Sequence, residues 1–208
     1  MTSLLDADPK DKKPSVPLPP LSLISTGIGA DSISLYVGNA DGARDVVTLA
    51  KTGITVVVNC AVNLDINYVA DPTIPAEPGK CAVGNAPIRS YKIGLIDGPG
   101  NPVHMMLAGY YILDGALKQV LPERISYPSR ARGHVLVHCR GGRSRSIALA
   151  ALFLHKAQPD QFPTLEHAID HARTMRGLPK DEYYKAPKPV LIDAARRASA
   201  AIDQLEGL

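Results

Sequence analysis

His138-Cys139-Arg140-Gly141-Gly142-Arg143-Ser144-Arg145-Ser146, preceded by Val135-Leu136-Val137 and followed by Ile147, decides how this chain reads. The apolar run before it suits a short buried strand, and Ile147 to His155 suits the start of a buried helix. A loop between a strand and a helix start can curl so that its N–H groups converge on one anion, with the helix terminus helping. Gly141 and Gly142 supply the backbone freedom such a cradle needs. Arg140, Arg143 and Ser144 complete its wall. Arg145, six residues after the cysteine, can fold back and clamp two anion oxygens with its planar fork. The same positive surroundings lower a thiol from about 8.5 into a range of roughly 3.5–7.5, which makes Cys139 a thiolate at neutral pH. A thiolate at the floor of an oxyanion cradle suits in-line attack on phosphorus, giving a phosphocysteine. Ser146 is placed to donate to the sulfur and ease its departure.

Outward from this loop, strands and helices alternate. Residues 33–37 read as a strand ending at Gly38, and a helix follows near 42–51 with Asp41 as N-cap and Gly53 past its end. Residues 54–60 are β-branched and apolar throughout, as in a strand buried on both faces. Residues 91–96 read as another strand. Asn101-Pro102 then forms an N-cap and N1 pair for a helix whose apolar face includes 103, 106, 107, 110, 113 and 117. Two amphipathic helices close the chain. One lies near 164–176, with Leu165, Ile169, Ala172 and Met175 inward; the other near 189–205, with Leu191, Ala195, Ala198, Ile202 and Leu205 inward. The pattern predicts an α/β fold, a mostly parallel central sheet flanked by helices. Residues 1–20 read as a flexible Pro-rich tail, a spacer or an SH3-type ligand through Pro14-x-x-Pro17. Residues 21–208 read as a single domain with insertions near 62–89 and 121–133.

Composition limits the alternatives. The 208 residues carry 23 basic and 20 acidic side chains, a net charge of +3, too balanced for a protein that coats nucleic acid. At 45% hydrophobic and 21% charged the chain is globular in composition. The three cysteines have irregular spacing, which argues against a disulfide scaffold, and no CxxC pair points to zinc. The N-terminal stretch does not read as a signal peptide, and the longest apolar run is too short to span a bilayer. The expectation is a cytoplasmic protein with no transmembrane segment. No histidine has a partner at metal-ligand spacing, so no metal is assigned.

The quoted segment resembles the HCxxGxxR[ST] signature of the cysteine-dependent phosphatases, and its C-x-x-G-x-S-R-S form is similar to the dual-specificity group of the protein tyrosine phosphatase superfamily. The resemblance runs from Leu35 to about Leu191. LYVGNADGARDVVTLAKTGITVVVNCA is similar to the family's first helix and two strands, and TLEHAIDHARTMRG to the helix after the signature. It implies a dual-specificity-phosphatase-like sandwich that uses no cofactor. It also implies a general acid, an Asp on a mobile loop, and Asp97 matches by position with Asn101 four residues on. His138 then supports the cysteine's backbone. The implied substrates are phosphotyrosine and phosphoserine/threonine in proteins. Arg140 and Arg143 resemble the loops of lipid-directed members, which keeps phosphoinositide or phospholipid head groups as the alternative. A phospho-binding module without turnover and a rhodanese-like sulfur carrier are the other readings. Asp97 also fits a plain Asp-Gly turn. Cys60 is either a small core residue or a resolving thiol for oxidised Cys139. Cys81 has no assigned role.

Overall fold

The computed structural model describes residues 16–127 and 130–207. A five-stranded sheet has the order β1-β2-β7-β3-β6. It is built from β1 (Leu21–Ile28), β2 (Ile33–Gly38), β3 (Ile54–Ala61), β6 (Arg89–Leu95) and β7 (His134–His138). β2, β7, β3 and β6 run parallel, and β1 pairs antiparallel with β2 at the edge. Parallel strands need helical crossovers that cover the faces, and apolar runs such as 54–60 result. α1 (Ala40–Arg44) and α2 (Val46–Thr52) lie between β2 and β3, and α3 (His104–Lys118) follows β6. α4 (Arg145–Ala157), α5 (Leu165–Arg176) and α6 (Pro189–Glu206) complete the chain after β7. One core joins Leu35, Val37, Val56 and Val137 of the sheet to Met106 and Leu113 of α3, Ile147 to Leu154 of α4, and Leu191 and Ile202 of α6. α4 contributes ten consecutive buried residues from Arg145 to Leu154, so the helix behind the quoted loop is the centre of the packing. The fold is α/β, as the alternation predicted.

Several local expectations are corrected. β1 was not foreseen: its two register shifts break the alternation, and its burial follows no clean period of two. The helix near 42–51 is two short helices, because Asp45 leaves helical geometry and caps α2 by accepting from the Thr48 N–H at 3.0 Å. Asn39, not Asp41, caps α1, accepting from Gly42 at 2.9 Å. Gly53 does end α2, in the left-handed conformation. Asn101 is not a cap: α3 begins at His104 after Val103. Residues 62–89 hold a small exposed antiparallel pair, β4 (Asp71–Ile74) and β5 (Val83–Asn85). Leu205 is exposed. Of the Pro-rich tail, Pro14 lies outside the described residues. Residues 16–20, expected to be free, are tied down: Pro19 O accepts from Arg176 Nη1 at 2.6 Å and Pro20 O from the Asn39 N–H at 3.1 Å.

Candidate active site

β7 lies between β2 and β3, and its carboxyl end delivers Cys139 to the crevice where ligands collect in parallel sheets. Residues 139–144 curl from that strand into the first turn of α4. Cys139 is buried, with Sγ 3.3 Å from both Ser146 Oγ and the Gly142 nitrogen. Burial alone raises the thiol pKa. Hydrogen bonds from the Ser146 hydroxyl, the Ser146 N–H and the Gly142 N–H, together with the Arg145 charge, outweigh burial, and the net shift is downward. His138 is also buried, and burial holds its imidazole neutral, with a pKa of about 4 against the pull of its contact with the Cys139 backbone. Burial therefore favours its uncharged form near neutral pH.

The two glycines of the loop differ. Gly142 has φ +65, and a Cβ there would lie 2.6 Å from Gly38 O and 2.7 Å from Arg176 Nη2. Gly141 has open space around its would-be Cβ and a φ outside the left-handed region. The requirement the sequence assigned to both belongs to Gly142 alone. Gly142→Ala is expected to cost at least about 2 kcal/mol, lowering Tm by roughly 4–8 °C, while Gly141→Ala stays within about 1 kcal/mol of wild type. Thermal melts of the two variants check this, and equal Tm losses would refute it.

Arg145 is buried with its guanidinium anchored at one end. Nη1 donates to Leu95 O at 3.2 Å and to Asn63 Oδ1 at 3.3 Å. Its Nε is also buried and has no hydrogen-bond partner among the described residues. That Nε lies 4.0 Å from Asp97 Oδ1, so Asp97, 43% exposed on the loop after β6, faces the same cradle. Asn101 organises that loop. Its amide accepts from the Ile96 N–H at 2.7 Å and donates to Ile96 O at 2.9 Å and Gly98 O at 3.1 Å. An Asn side chain competes well for nearby backbone groups, and here it closes the loop instead of starting the helix.

The other loop side chains divide. Arg140 is exposed, and its carbonyl accepts from the Ala40 N–H at 3.1 Å. Ser144 Oγ accepts from the Lys188 N–H at 2.9 Å, so its side chain braces the loop from behind. Arg143 is engaged by protein groups. Its guanidinium is paired with the buried Glu182 and donates to Val16 O. An arginine held by a buried carboxylate has a structural partner that the sequence did not predict.

Arg176 went unrecognised in the sequence. It is fully buried and donates through Nε to Gly142 O at 3.0 Å and through Nη1 to Ser22 Oγ at 2.8 Å as well as to Pro19 O. Burial brings its pKa down to about 10, against the pull of the Cys139 charge. Met175, expected inward, is 44% exposed instead. The signal was present: 165, 168, 169, 172 and 176 are one helical face, and preference for an apolar residue displaced the stripe by one position. Cys60 is buried, and burial followed by the Cys139 charge pushes its thiol up. Cys81 is exposed. Among the described residues no group of His, Cys, Asp and Glu side chains could hold a metal ion, and no helix is long and apolar enough to cross a membrane.

Solved structures share this fold. Human DUSP28 superposes with a TM-score of 0.60 at 22% identity, over 91% of this chain and 99% of that one. The fold is that of the dual-specificity phosphatases. A mouse putative dual specificity phosphatase, in complex with zinc tungstate, gives 0.59 at 19% identity, over 94% and 95% of the two chains. The phosphatase domain of Yvh1 from Chaetomium thermophilum gives 0.52 at 16%, over 88% and 96%. No family model matches the sequence, and no curated protein matches it. In the dual-specificity-phosphatase fold, the loop between β7 and α4 is the segment the sequence singled out.

Proposed function

We propose that this protein is a dual-specificity-type phosphatase that hydrolyses phosphotyrosine and phosphoserine/threonine in proteins through a cysteinyl-phosphate. The observation that carries the reading is one cradle with a thiol of lowered pKa at its floor and an arginine at its wall. That arginine's buried Nε has no hydrogen-bond partner among the described residues and lies 4.0 Å from Asp97 Oδ1. The N–H groups of 140–145 and Arg145 bind the phosphoryl oxygens. The Cys139 thiolate attacks phosphorus in line while the P–O ester bond breaks, and Asp97 gives its proton to the departing oxygen. Water then attacks the phosphocysteine, the Asp97 carboxylate takes the proton, and the S–P bond breaks to release inorganic phosphate. Ser146 Oγ, 3.3 Å from the sulfur, stabilises the returning thiolate. The chemistry requires a reduced thiol, which fits the cytoplasm.

The pairing of Arg143 with Glu182 favours phosphoproteins over the phosphoinositide or phospholipid alternative, because it removes one of the cations on which that alternative rests. Phosphate release from a small aryl phosphate, from phosphopeptides and from phosphoinositide vesicles tests both readings. Turnover of vesicles alone would reverse the preference, and turnover of nothing would leave a phospho-binding module. Asp97→Asn is expected to lower kcat/KM, which reports the ester-cleavage step alone, by about 10²–10⁴-fold on phosphoserine peptides, whose alkoxide leaves poorly without a proton. The loss on an aryl phosphate with an acidic phenol should be much smaller. Equal losses on both would exclude Asp97 as the acid.

A further inference from the structure

Lys188 connects the phosphate cradle to the Asp97 loop. It lies in the segment between α5 and α6, which the sequence marks with no motif. Its N–H donates to Ser144 Oγ at 2.9 Å, so its main chain is fixed against the first residue before α4. Its exposed side chain crosses to the other side of the site, where Nζ donates to the carbonyl oxygen of Asp97 at 2.7 Å. A hydrogen bond from an ammonium group is stronger than one between neutral partners. The loop it reaches is internally closed by Asn101, which bonds Ile96 and Gly98 on either side of Asp97. A loop closed on itself in this way moves as a unit, so a tether at the Asp97 carbonyl sets where the whole loop sits. Arg145 Nε, 4.0 Å from Asp97 Oδ1, draws the side chain of the same residue inward.

We propose that Lys188 is a positioning residue for Asp97, holding the acid loop over the cradle from a backbone anchored on the cradle itself. The proposal rests on the reading of Asp97 as general acid. Lys188 touches neither substrate nor reacting atoms in this role. It acts by keeping the Asp97 carboxyl within reach of the leaving oxygen, where a displacement of an ångström is costly to proton transfer. Any substitution other than proline keeps the N–H bond to Ser144, so Lys188→Met removes only the tether.

The test compares wild type, Lys188→Met, Lys188→Arg, Asp97→Asn and the double variant. Substrates are a phosphoserine peptide and an aryl phosphate with an acidic phenol. Lys188→Met is expected to lower kcat/KM on the phosphoserine peptide by about 10–100-fold, through kcat with KM nearly unchanged, and to have a much smaller effect on kcat/KM for the aryl ester. Lys188→Arg, which keeps a long cationic donor, should recover most of the loss. Adding Lys188→Met to Asp97→Asn should cost nothing further, because the tether then holds a loop without an acid. Equal losses of kcat/KM on both substrates, a rise in KM alone, or a full loss in the Asp97→Asn background would overturn the proposal. If Asp97→Asn produces its leaving-group-dependent loss and Lys188→Met is silent, this proposal alone fails. If Asp97→Asn is itself silent, the acid assignment fails, and the proposal with it.

Discussion

Cys139→Ser is expected to abolish turnover, with kcat falling by at least on the order of 10⁴-fold, while the folded chain still binds a phosphopeptide. The substitution changes one atom at the floor of the cradle. The hydroxyl that replaces the thiol stays protonated at neutral pH, and it offers no anion to attack phosphorus. The N–H groups that face the sulfur, and Arg145 beside it, are untouched, so oxyanion binding survives without chemistry. The pH dependence of the thiol gives an independent check. Burial raises its pKa, but the Ser146 hydroxyl heads the contributions that bring it below the ordinary value. The thiolate therefore persists as pH falls below about 8.5 and is lost only when pH drops through the lowered value. Alkylation by iodoacetamide, followed against pH, should have its midpoint below that of a free thiol. In Ser146→Ala the midpoint should move up. A wild-type midpoint at or above the ordinary thiol value would remove the physical basis for calling Cys139 a nucleophile, as would turnover by Cys139→Ser.

The elements most legible in the sequence were those whose residues answer to one dominant force. β3 reads as a strand because its run of β-branched residues is buried on both faces, and α6 as a helix because Leu191, Ala195, Ala198 and Ile202 share a stripe. The loop at 138–146 was legible for a different reason. A thiol, a glycine at φ +65 and an arginine six residues after the thiol are needed together by one geometry, so their spacing carries information that composition does not. What stayed hidden depends on partners distant along the chain. β1 pairs with β2 despite an irregular pattern, because an edge strand with bulges need not alternate. Arg176 is buried only because Gly142 O, Pro19 O and Ser22 Oγ converge on it from other elements. The partner of Arg143 was hidden because Glu182, 39 residues on, could not be placed beside it. Lys188 illustrates the same limit within the site. It is an ordinary polar residue locally, and its contact with the Asp97 loop, 91 residues back, exists only in the folded chain. Asn101, by contrast, bonds residues within five of itself and was misjudged only in which of its neighbours it serves.

Arg145→Lys is expected to lower kcat/KM by about 10³–10⁵-fold, the range seen when an arginine that stabilises phosphoryl transfer is lost. The charge is conserved in this variant, so the loss measures geometry. Arg145 uses Nη1 to hold Leu95 O and Asn63 Oδ1, which fixes the plane of the guanidinium. That leaves the buried Nε, which has no hydrogen-bond partner among the described residues, to donate to a phosphoryl oxygen from a preset direction. Lysine carries a single ammonium on a flexible stem, and it cannot both anchor on Leu95 O and present a fork to the phosphoryl group. If it turns to the carbonyl, the transition-state charge loses its partner. If it turns to the phosphate, Leu95 O loses a donor and the orientation is no longer fixed. Both kcat and KM should therefore worsen, since the fork binds the ground-state dianion and the more charged oxygens of the transition state. A Tm close to wild type separates this from loss of fold, because the ammonium can still satisfy one buried acceptor. Wild-type kcat/KM in a folded Arg145→Lys variant would show that a cation alone suffices, and that the anchored plane of the guanidinium has no part in the reaction.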